Sequence, residues 1–219
     1  PALYDLTTLQ RDANRILGFT AQQTLDYTQS LYEKKLVTYP RTDSRYLTED
    51  AAPILEQLVP VVATLFHVNG EVVLNGEQVI NSKKVSDHHA IIPTSTVASV
   101  NLEALPKGEQ EILRLISIRL LAAVSEPYRF VETTVTAECA GEVFTSKGKA
   151  VLSDGWKGIV NQFFPEKTIS ERTVPDTETD AVFPVTKAEI KEGKTTPPKH
   201  FTDVIFCERK EWIGIEERS

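Results

Sequence analysis

The hydrophobic pattern changes its period near Pro127, and this change limits the fold more than any other feature of the sequence. Before Pro127, apolar residues recur at helical spacing, most clearly from Pro106 to Val124. After it, the runs Phe130 to Cys139 and Glu142 to Ser146 alternate with a period of two and flank Ala140-Gly141. The sequence therefore predicts an α+β protein, with a mainly helical domain followed by an antiparallel hairpin.

Two helices with well-marked ends are predicted at the start of the chain. Apolar residues from Leu6 to Leu17 form a stripe that stops at Gly18, a residue typical of helix C-termini. Thr20 and Gln23 form a capping-box pattern at the start of a second helix, which continues to about Lys35. Two helices joined by a short glycine-containing turn, with an extended segment after them, indicate a helix-turn-helix of winged-helix (CAP-like) character.

Other elements follow from the same patterns. Thr48 is a candidate cap for a helix that runs to about Phe66. Val151-Leu152 and Val182 to Ile190 are further strand candidates. Trp156 follows Asp-Gly and is interpreted as core or hairpin packing rather than a base-stacking platform.

The segment 37–47, Val-Thr-Tyr-Pro-Arg-Thr-Asp-Ser-Arg-Tyr-Leu, contains candidate reactive residues. An extended backbone, stiffened by the proline, would place Tyr39, Arg41 and Asp43 on one face. A phenol is a weak nucleophile unless a nearby cation or base favours the phenolate, and a guanidinium suits the charge on a phosphodiester under attack. Tyr39 is therefore a candidate nucleophile and Arg41 its phosphate clamp. The structural alternative is a strand end followed by a polar turn, in which Asp43 or Ser44 caps a helix.

A second candidate site lies in the segment 85–94, which contains the adjacent histidines His88 and His89. Two adjacent histidines cannot both face one metal from a helix or strand, and no further ligand spacing accompanies them, so a zinc site is not favoured. A histidine that titrates near neutral pH could contact a phosphate or donate a proton. A hydrogen-bonded structural role is the alternative.

The net charge of −7 argues against a simple DNA-binding domain, for which a basic surface is expected. The distribution of charge changes this conclusion, because basic residues flank both candidate segments. If these segments meet, they form a local positive surface on an acidic body. The basic residues are Lys34, Lys35, Arg41, Arg45, Lys83 and Lys84.

Several classes of protein are not indicated by the composition. No apolar run is long enough to span a membrane, and no signal peptide is present. The two cysteines, Cys139 and Cys207, lie far apart and do not indicate a disulfide framework. These features predict a cytoplasmic protein with no membrane partner.

Four blocks, in order along the chain, resemble the active-site region of type IA DNA topoisomerases, in the variant found in bacterial topoisomerase III. The resemblance implies an ATP-independent isomerase that cleaves and rejoins one DNA strand through a transient 5′-phosphotyrosyl intermediate, and so relaxes or decatenates DNA. It also implies that the partner is DNA, mainly single-stranded, and that the protein associates with the nucleoid. The blocks are residues 2–10, 31–47, 85–94 and 192–202.

The resemblance also implies roles for individual residues. Tyr39 would attack the DNA strand, and Arg41 would stabilise the scissile phosphate and the bound phenolate. His88 would contact a nearby phosphate and Asp43 would tune that site, whereas no role is carried to His89. The remaining predicted DNA contacts are Lys34 and Arg45.

The same resemblance implies that the metal site lies outside this chain. In the family, a Toprim domain precedes the tyrosine domain, holds Mg²⁺ on acidic residues and places a glutamate near the tyrosine. We find no Asp-x-Asp pair with an upstream glutamate, and Asp176 and Asp180 indicate a surface loop. We therefore expect a piece of a larger enzyme that is inactive alone and binds no metal itself. Residues 1–127 would be the tyrosine domain, 128–198 the later half of an arch domain, and 199–219 the start of a further domain or an unassigned tail.

Two other functions fit parts of the sequence. A non-catalytic winged-helix module would bind duplex DNA through the helix at 20–35 and would not need Tyr39. A tyrosine recombinase also attacks a phosphodiester with a phenol, but its arginine, His-x-x-Arg and tyrosine occur in another order. The sequence His-His-Ala-Ile that starts at His88 lacks the required arginine.

Overall fold

The computed structural model describes residues 1–70, 72–165, 178, 181–190 and 192–197. Helices dominate up to residue 124, and a hairpin and one more helix follow. The α-helices are α1 Leu6–Leu17, α2 Ala21–Glu33, α3 Ala52–Leu65, α4 Lys107–Val124 and α5 Gly155–Phe163, and the strands are β1 Arg129–Cys139 and β2 Glu142–Ser153. Short 3₁₀ turns lie at Glu49–Ala51, Gly76–Val79, Ser82–Lys84, Ser95–Ser99 and Leu102–Ala104. The predicted tail at 199–219 lies outside the described residues.

Helices α1 and α2 have the ends that the sequence predicts. Asp5 caps α1 by accepting the N–H of Thr8 at 2.7 Å. Gly18 ends the helix with φ 73°, a left-handed conformation that glycine adopts readily. Thr20 and Gln23 form the predicted capping box of α2, which ends close to the predicted position.

Helix α4 is the centre of the helical part, since α1, α2, α3 and α5 all contact it. The predicted apolar stripe is buried, but so are residues on the other sides of the helix, among them Leu113 and Ser117. Because neighbours cover α4 from several directions, its buried surface is wider than a one-sided stripe. Among the described residues, the Ser117 hydroxyl is the one buried side-chain polar atom without a hydrogen-bond partner.

The start of α3 differs from the prediction. A 3₁₀ turn at Glu49–Ala51 precedes the helix, which begins at Ala52, and the Thr48 side chain makes no capping hydrogen bond to it. The Thr48 side chain instead bonds Asp50, and this bond lowers the pKa of the exposed Asp50 carboxyl. The predicted helix therefore exists with a different first turn.

A buried tyrosine joins the first segment of the chain to α1 and α4. Tyr4 is 2% exposed, and its hydroxyl donates to Asp12 Oδ2 at 2.8 Å and accepts from Arg119 at 2.9 Å. Arg119 also forms a salt bridge with Asp12. Burial raises the pKa of Tyr4 well above its ordinary value, although Arg119 acts in the opposite direction. The contacts fix residues 1–5, which border the candidate site.

The hairpin confirms the predicted change to antiparallel strands. β1 pairs with β2 through a turn at Ala140 and Gly141, and β2 continues to include the predicted strand at Val151-Leu152. The strand predicted at 182–190 is wrong, since 181–190 forms no regular element. An alternating apolar pattern is not sufficient for a strand when no partner strand satisfies its backbone. Among the described helices, none is long and apolar enough to cross a membrane.

Candidate active site around Tyr39

The segment that carries Tyr39 runs between two isolated β-bridges, Val37 to Pro93 and Leu47 to Ile80. Residues 38–46 form no regular strand. The strand predicted here is therefore absent, but buried and exposed residues still alternate along the segment. Thr42 and Ser44 are buried, whereas Arg41 and Asp43 are exposed and Tyr39 is half-buried. No helix follows directly, so the alternative in which Asp43 or Ser44 caps a helix is wrong. The three candidate residues therefore lie on the outer side of an extended loop.

Buried hydroxyl groups hold this loop to the segment that contains the histidines. Thr42 Oγ1 donates to the carbonyl oxygen of His88 at 2.8 Å and accepts the N–H of Ser44 at 3.1 Å. Ser44 Oγ donates to the carbonyl oxygen of Lys84 at 2.9 Å. These side-chain hydrogen bonds take the place of the backbone hydrogen bonds that would join the two segments if they paired as strands.

Thr38 makes the corresponding contacts on the other side of Tyr39. Its hydroxyl donates to the carbonyl oxygen of Ala90 at 3.0 Å and accepts the N–H of Ile92 at 3.0 Å. The N–H of Thr38 donates to the carbonyl oxygen of Ile92 at 2.9 Å. The sequence analysis did not predict that Thr38, Thr42 and Ser44 hold the site together. The signal for this was present, because these hydroxyl residues alternate with Tyr39, Arg41 and Asp43 along the segment.

The first residues of the chain support both segments. The carbonyl oxygen of Tyr4 accepts the N–H of Ile91 at 2.8 Å, and the N–H of Leu6 donates to the carbonyl oxygen of Thr42 at 3.1 Å. The candidate site is therefore assembled from three separated parts of the sequence.

The ring of Tyr39 lies between two other rings. Its centroid is 4.3 Å from that of His88, at an interplanar angle of 42°, and 5.5 Å from that of Tyr32 in an edge arrangement. His88 is exposed, whereas His89 turns to its neighbour, with Nδ1 2.8 Å from the carbonyl oxygen of Ala90. The structure thus brings the first histidine of the pair, and not the second, to the tyrosine.

Arg41, two residues after Tyr39, is exposed. Within the described part of the chain, no hydrogen bond or ion pair involves its guanidinium. Asp43 does not pair with it, since Asp43 Oδ1 accepts a hydrogen bond from Ser86 Oγ at 3.1 Å. The guanidinium is therefore available to an anionic ligand, and its planar donors suit phosphate.

The other two predicted DNA contacts are engaged by carboxylates. Lys34 forms a salt bridge with Glu109, which also accepts a hydrogen bond from Ser30 Oγ at 2.8 Å. Arg45 Nε donates to Asp5 Oδ2 at 2.5 Å. Contacts of Lys34 and Arg45 with DNA stay predictions, and any such contact would compete with these ion pairs.

Lys84, one of the predicted basic residues, lies against the loop that carries Tyr39. Its Nζ lies 4.6 Å from the ring centroid of Tyr46 and 3.3 Å from that hydroxyl. This contact places one of the predicted basic residues at the tyrosine loop, and the local positive surface stays a prediction. Among the described residues, no group of three or more His, Cys, Asp and Glu is placed to hold a metal ion.

We expect Thr42→Val to lower the free energy of unfolding by about 1–3 kcal/mol, because valine has the same shape but leaves the His88 carbonyl and the Ser44 N–H without their partner. Urea denaturation measures the change. Thr96→Val is the matched control, since Thr96 is exposed and the change should stay within about 0.5 kcal/mol. Equal effects of the two substitutions would contradict the role given to Thr42.

The comparison with protein families matches this chain to one family. A family model described as DNA topoisomerase matches residues 1–208. The protein named DNA topoisomerase 3 from Bacillus licheniformis is 41% identical over 213 residues, covering 93% of this chain and 29% of that protein. Its namesakes from Bacillus subtilis and Bacillus thuringiensis are 38% and 33% identical and cover 93% and 96% of this chain. These matches confirm the resemblance carried by the four blocks.

The chain matches only part of the length of these relatives. It spans 29% to 30% of the length of these curated relatives. A solved structure, full-length topoisomerase I from Thermotoga maritima, matches 99% of this chain and 35% of its own, with a TM-score of 0.66 and 24% identity. At this identity, the likeness shows a shared fold.

Proposed function

The chain belongs to the type IA DNA topoisomerase family, and on this premise we propose that it supplies the nucleophile that cleaves and rejoins one DNA strand within a larger enzyme. The observation that carries the proposal is the position of Tyr39, whose ring centroid lies 4.3 Å from that of His88 and which precedes the exposed Arg41 by two residues. The test is covalent attachment of Tyr39 to single-stranded DNA in the whole protein, compared with the Tyr39→Phe variant.

The proposed reaction is a transesterification. The Tyr39 oxygen forms a bond to phosphorus while the bond from phosphorus to the 3′ oxygen breaks, which leaves a 5′-phosphotyrosyl link and a free 3′ hydroxyl. The phenol loses its proton and the 3′ oxygen gains one. The reverse attack by that hydroxyl reseals the strand, so no external energy source is needed.

Two side chains near Tyr39 can act on the phosphate. Arg41 can place two N–H donors on the non-bridging oxygens, where negative charge develops during attack. The His88 ring is tilted by 42° against the Tyr39 ring and His88 remains exposed, so its ring nitrogens can contact a neighbouring phosphate. Asp43 would act indirectly, since its carboxylate bonds Ser86.

The finer fold assignment is part of the proposal. We infer that α1, the turn at residues 18–20 and α2 form a helix-turn-helix of the winged-helix type, with residues 36–38 as the following extended segment. The residues before and after 127 would be the tyrosine domain and part of an arch domain. Lys34, at the end of α2, already forms a salt bridge with Glu109. This pairing does not favour α2 as a helix that simply binds duplex DNA.

We propose that another part of the enzyme holds the metal. A Toprim domain of the whole protein would hold Mg²⁺ and complete the cleavage centre beside Tyr39, while this chain supplies the tyrosine, the guanidinium and the histidine. The substrate would be DNA, mainly single-stranded, and the enzyme would act on the nucleoid in the cytoplasm. Family membership does not favour a non-catalytic DNA-binding module.

His88→Ala in the whole enzyme should weaken single-strand binding or slow cleavage by about 10- to 100-fold, because a hydrogen bond to a charged group is lost. Fluorescence anisotropy with a labelled oligonucleotide and single-turnover cleavage measure the two effects. His88→Phe separates the roles of the ring, since it keeps the packing on Tyr39 but has no donor. Unchanged binding and cleavage in His88→Ala from about pH 6 to 8 would refute the phosphate contact.

A further inference from the structure

A group of aromatic and basic side chains lies at the base of the hairpin, and the reaction proposed at Tyr39 does not use it. This lysine–aromatic cluster consists of Tyr128, Phe130, Lys149, Trp156 and Lys157. The ring centroids of Tyr128 and Phe130 are 5.4 Å apart. Lys149 Nζ lies 3.9 Å from the centroid of Phe130 and 4.7 Å from that of Tyr128.

A second ammonium group approaches the same tyrosine. Lys157 Nζ lies 4.6 Å from the ring centroid of Tyr128 and 5.8 Å from that of Trp156. Within the described residues, neither Lys149 nor Lys157 forms an ion pair, whereas Lys147 on the same strand pairs with Glu132 at 3.6 Å. Two positive charges beside one ring repel each other, and a bound anion would neutralise them.

The cluster is held in place by backbone contacts. The N–H of Trp156 donates to the carbonyl oxygen of Glu126 at 2.9 Å, which fixes the start of α5. Gly155 has φ 43°, and a Cβ there would lie 2.4 Å from the carbonyl oxygen of Pro127. This close approach requires glycine and brings the backbone of Glu126 and Pro127, between α4 and β1, against the start of α5. The rings are therefore arranged before any ligand arrives.

We propose that the lysine–aromatic cluster binds single-stranded nucleic acid. Phe130 is 45% exposed, so a base can stack on the accessible part of its ring, and the flexible stems of Lys149 and Lys157 allow their ammonium groups to reach the adjoining phosphates. Aromatic rings next to unpaired cations suit an unstacked strand, whereas a duplex hides the base faces. Trp156, interpreted from the sequence as packing only, thus borders a nucleic-acid contact separate from Tyr39.

The test uses Trp156 as a local reporter. The 219-residue chain contains two tryptophans, so Trp212→Phe leaves Trp156 as its one indole. An oligothymidylate of about 12 nucleotides should quench this fluorescence in a saturable manner. Absence of quenching, or equal quenching by a duplex of the same length, would overturn the proposal.

Variants separate charge from stacking. Lys149→Gln with Lys157→Gln should weaken binding about tenfold or more and reduce the slope of log K against log salt by about 1.4, since each phosphate contact on a single strand contributes about 0.7. Lys147→Gln is the matched control, because this lysine lies on the same strand but is ion-paired. An equal loss in the control variant would contradict the assignment of Lys149 and Lys157.

Substitutions of the ring address the stacking contribution. Phe130→Leu should weaken binding about fivefold or more while the salt slope is kept, and Phe130→Tyr should bind as the parent does, because a base stacks on the exposed ring of Phe130. Tyr39→Phe should leave the quenching unchanged. In the protein that keeps Tyr39, covalent attachment without quenching of Trp156 would reject this site alone. Quenching of Trp156 without covalent attachment would reject the nucleophile alone.

Discussion

We expect Tyr39→Phe in the whole enzyme to abolish covalent attachment to single-stranded DNA. Phenylalanine keeps the ring that packs on His88 and Tyr32 but removes the oxygen that would bond to phosphorus. The half-buried ring fills the same space, so we expect the free energy of unfolding to change by less than about 1 kcal/mol. Denaturing gel electrophoresis with an end-labelled oligonucleotide measures the adduct directly.

The matched control for this substitution is Tyr32→Phe. Tyr32 contacts the Tyr39 ring at its edge and is 39% exposed, and loss of its hydroxyl should leave the adduct in place. An adduct of normal yield in Tyr39→Phe would mean that another residue attacks the DNA. Loss of the adduct with unchanged binding of the oligonucleotide would assign the defect to the chemical step.

Local signals predicted the elements whose ends are marked by side chains. Gly18, Thr20 and Gln23 fixed the turn between α1 and α2 because capping depends on residues three or four positions apart. The hairpin turn at Ala140-Gly141 was also predictable, because a two-residue turn needs positive φ angles, which glycine adopts readily, and alternating runs flank it. Helix α5 was missed, since a helix of nine residues after Asp-Gly resembles a turn when only its first residues are considered.

The candidate site depends on contacts that local patterns do not contain. Thr42 reaches the carbonyl of His88, 46 residues away, and Lys34 reaches Glu109, 75 residues away. Periodicity predicted which residues of the tyrosine segment face outwards, but the partners of Lys34 and Arg45 required the fold. The roles of Tyr39 and Arg41 were proposed from residue chemistry and from resemblance, and they stay proposals until tested.

Arg41→Lys in the whole enzyme should lower the single-turnover cleavage rate by about 10- to 100-fold, and Arg41→Ala by about 100- to 1000-fold. Lysine keeps the positive charge but cannot place two parallel donors on one phosphate. Since Arg41 is exposed and no contact within the described structure depends on its guanidinium, both variants should unfold at the same urea concentration as the parent.

Arg15→Lys is the matched control for the effect of guanidinium loss on the protein surface. Arg15 is also exposed, but it lies on α1 and pairs with Asp12 at 3.0 Å, so its replacement should leave cleavage unchanged. Equal cleavage rates in Arg41→Lys and the parent would show that charge alone is needed beside Tyr39. A cleavage defect that disappears at saturating DNA would instead assign Arg41 to binding, because an interaction made only in the transition state lowers the rate at every DNA concentration.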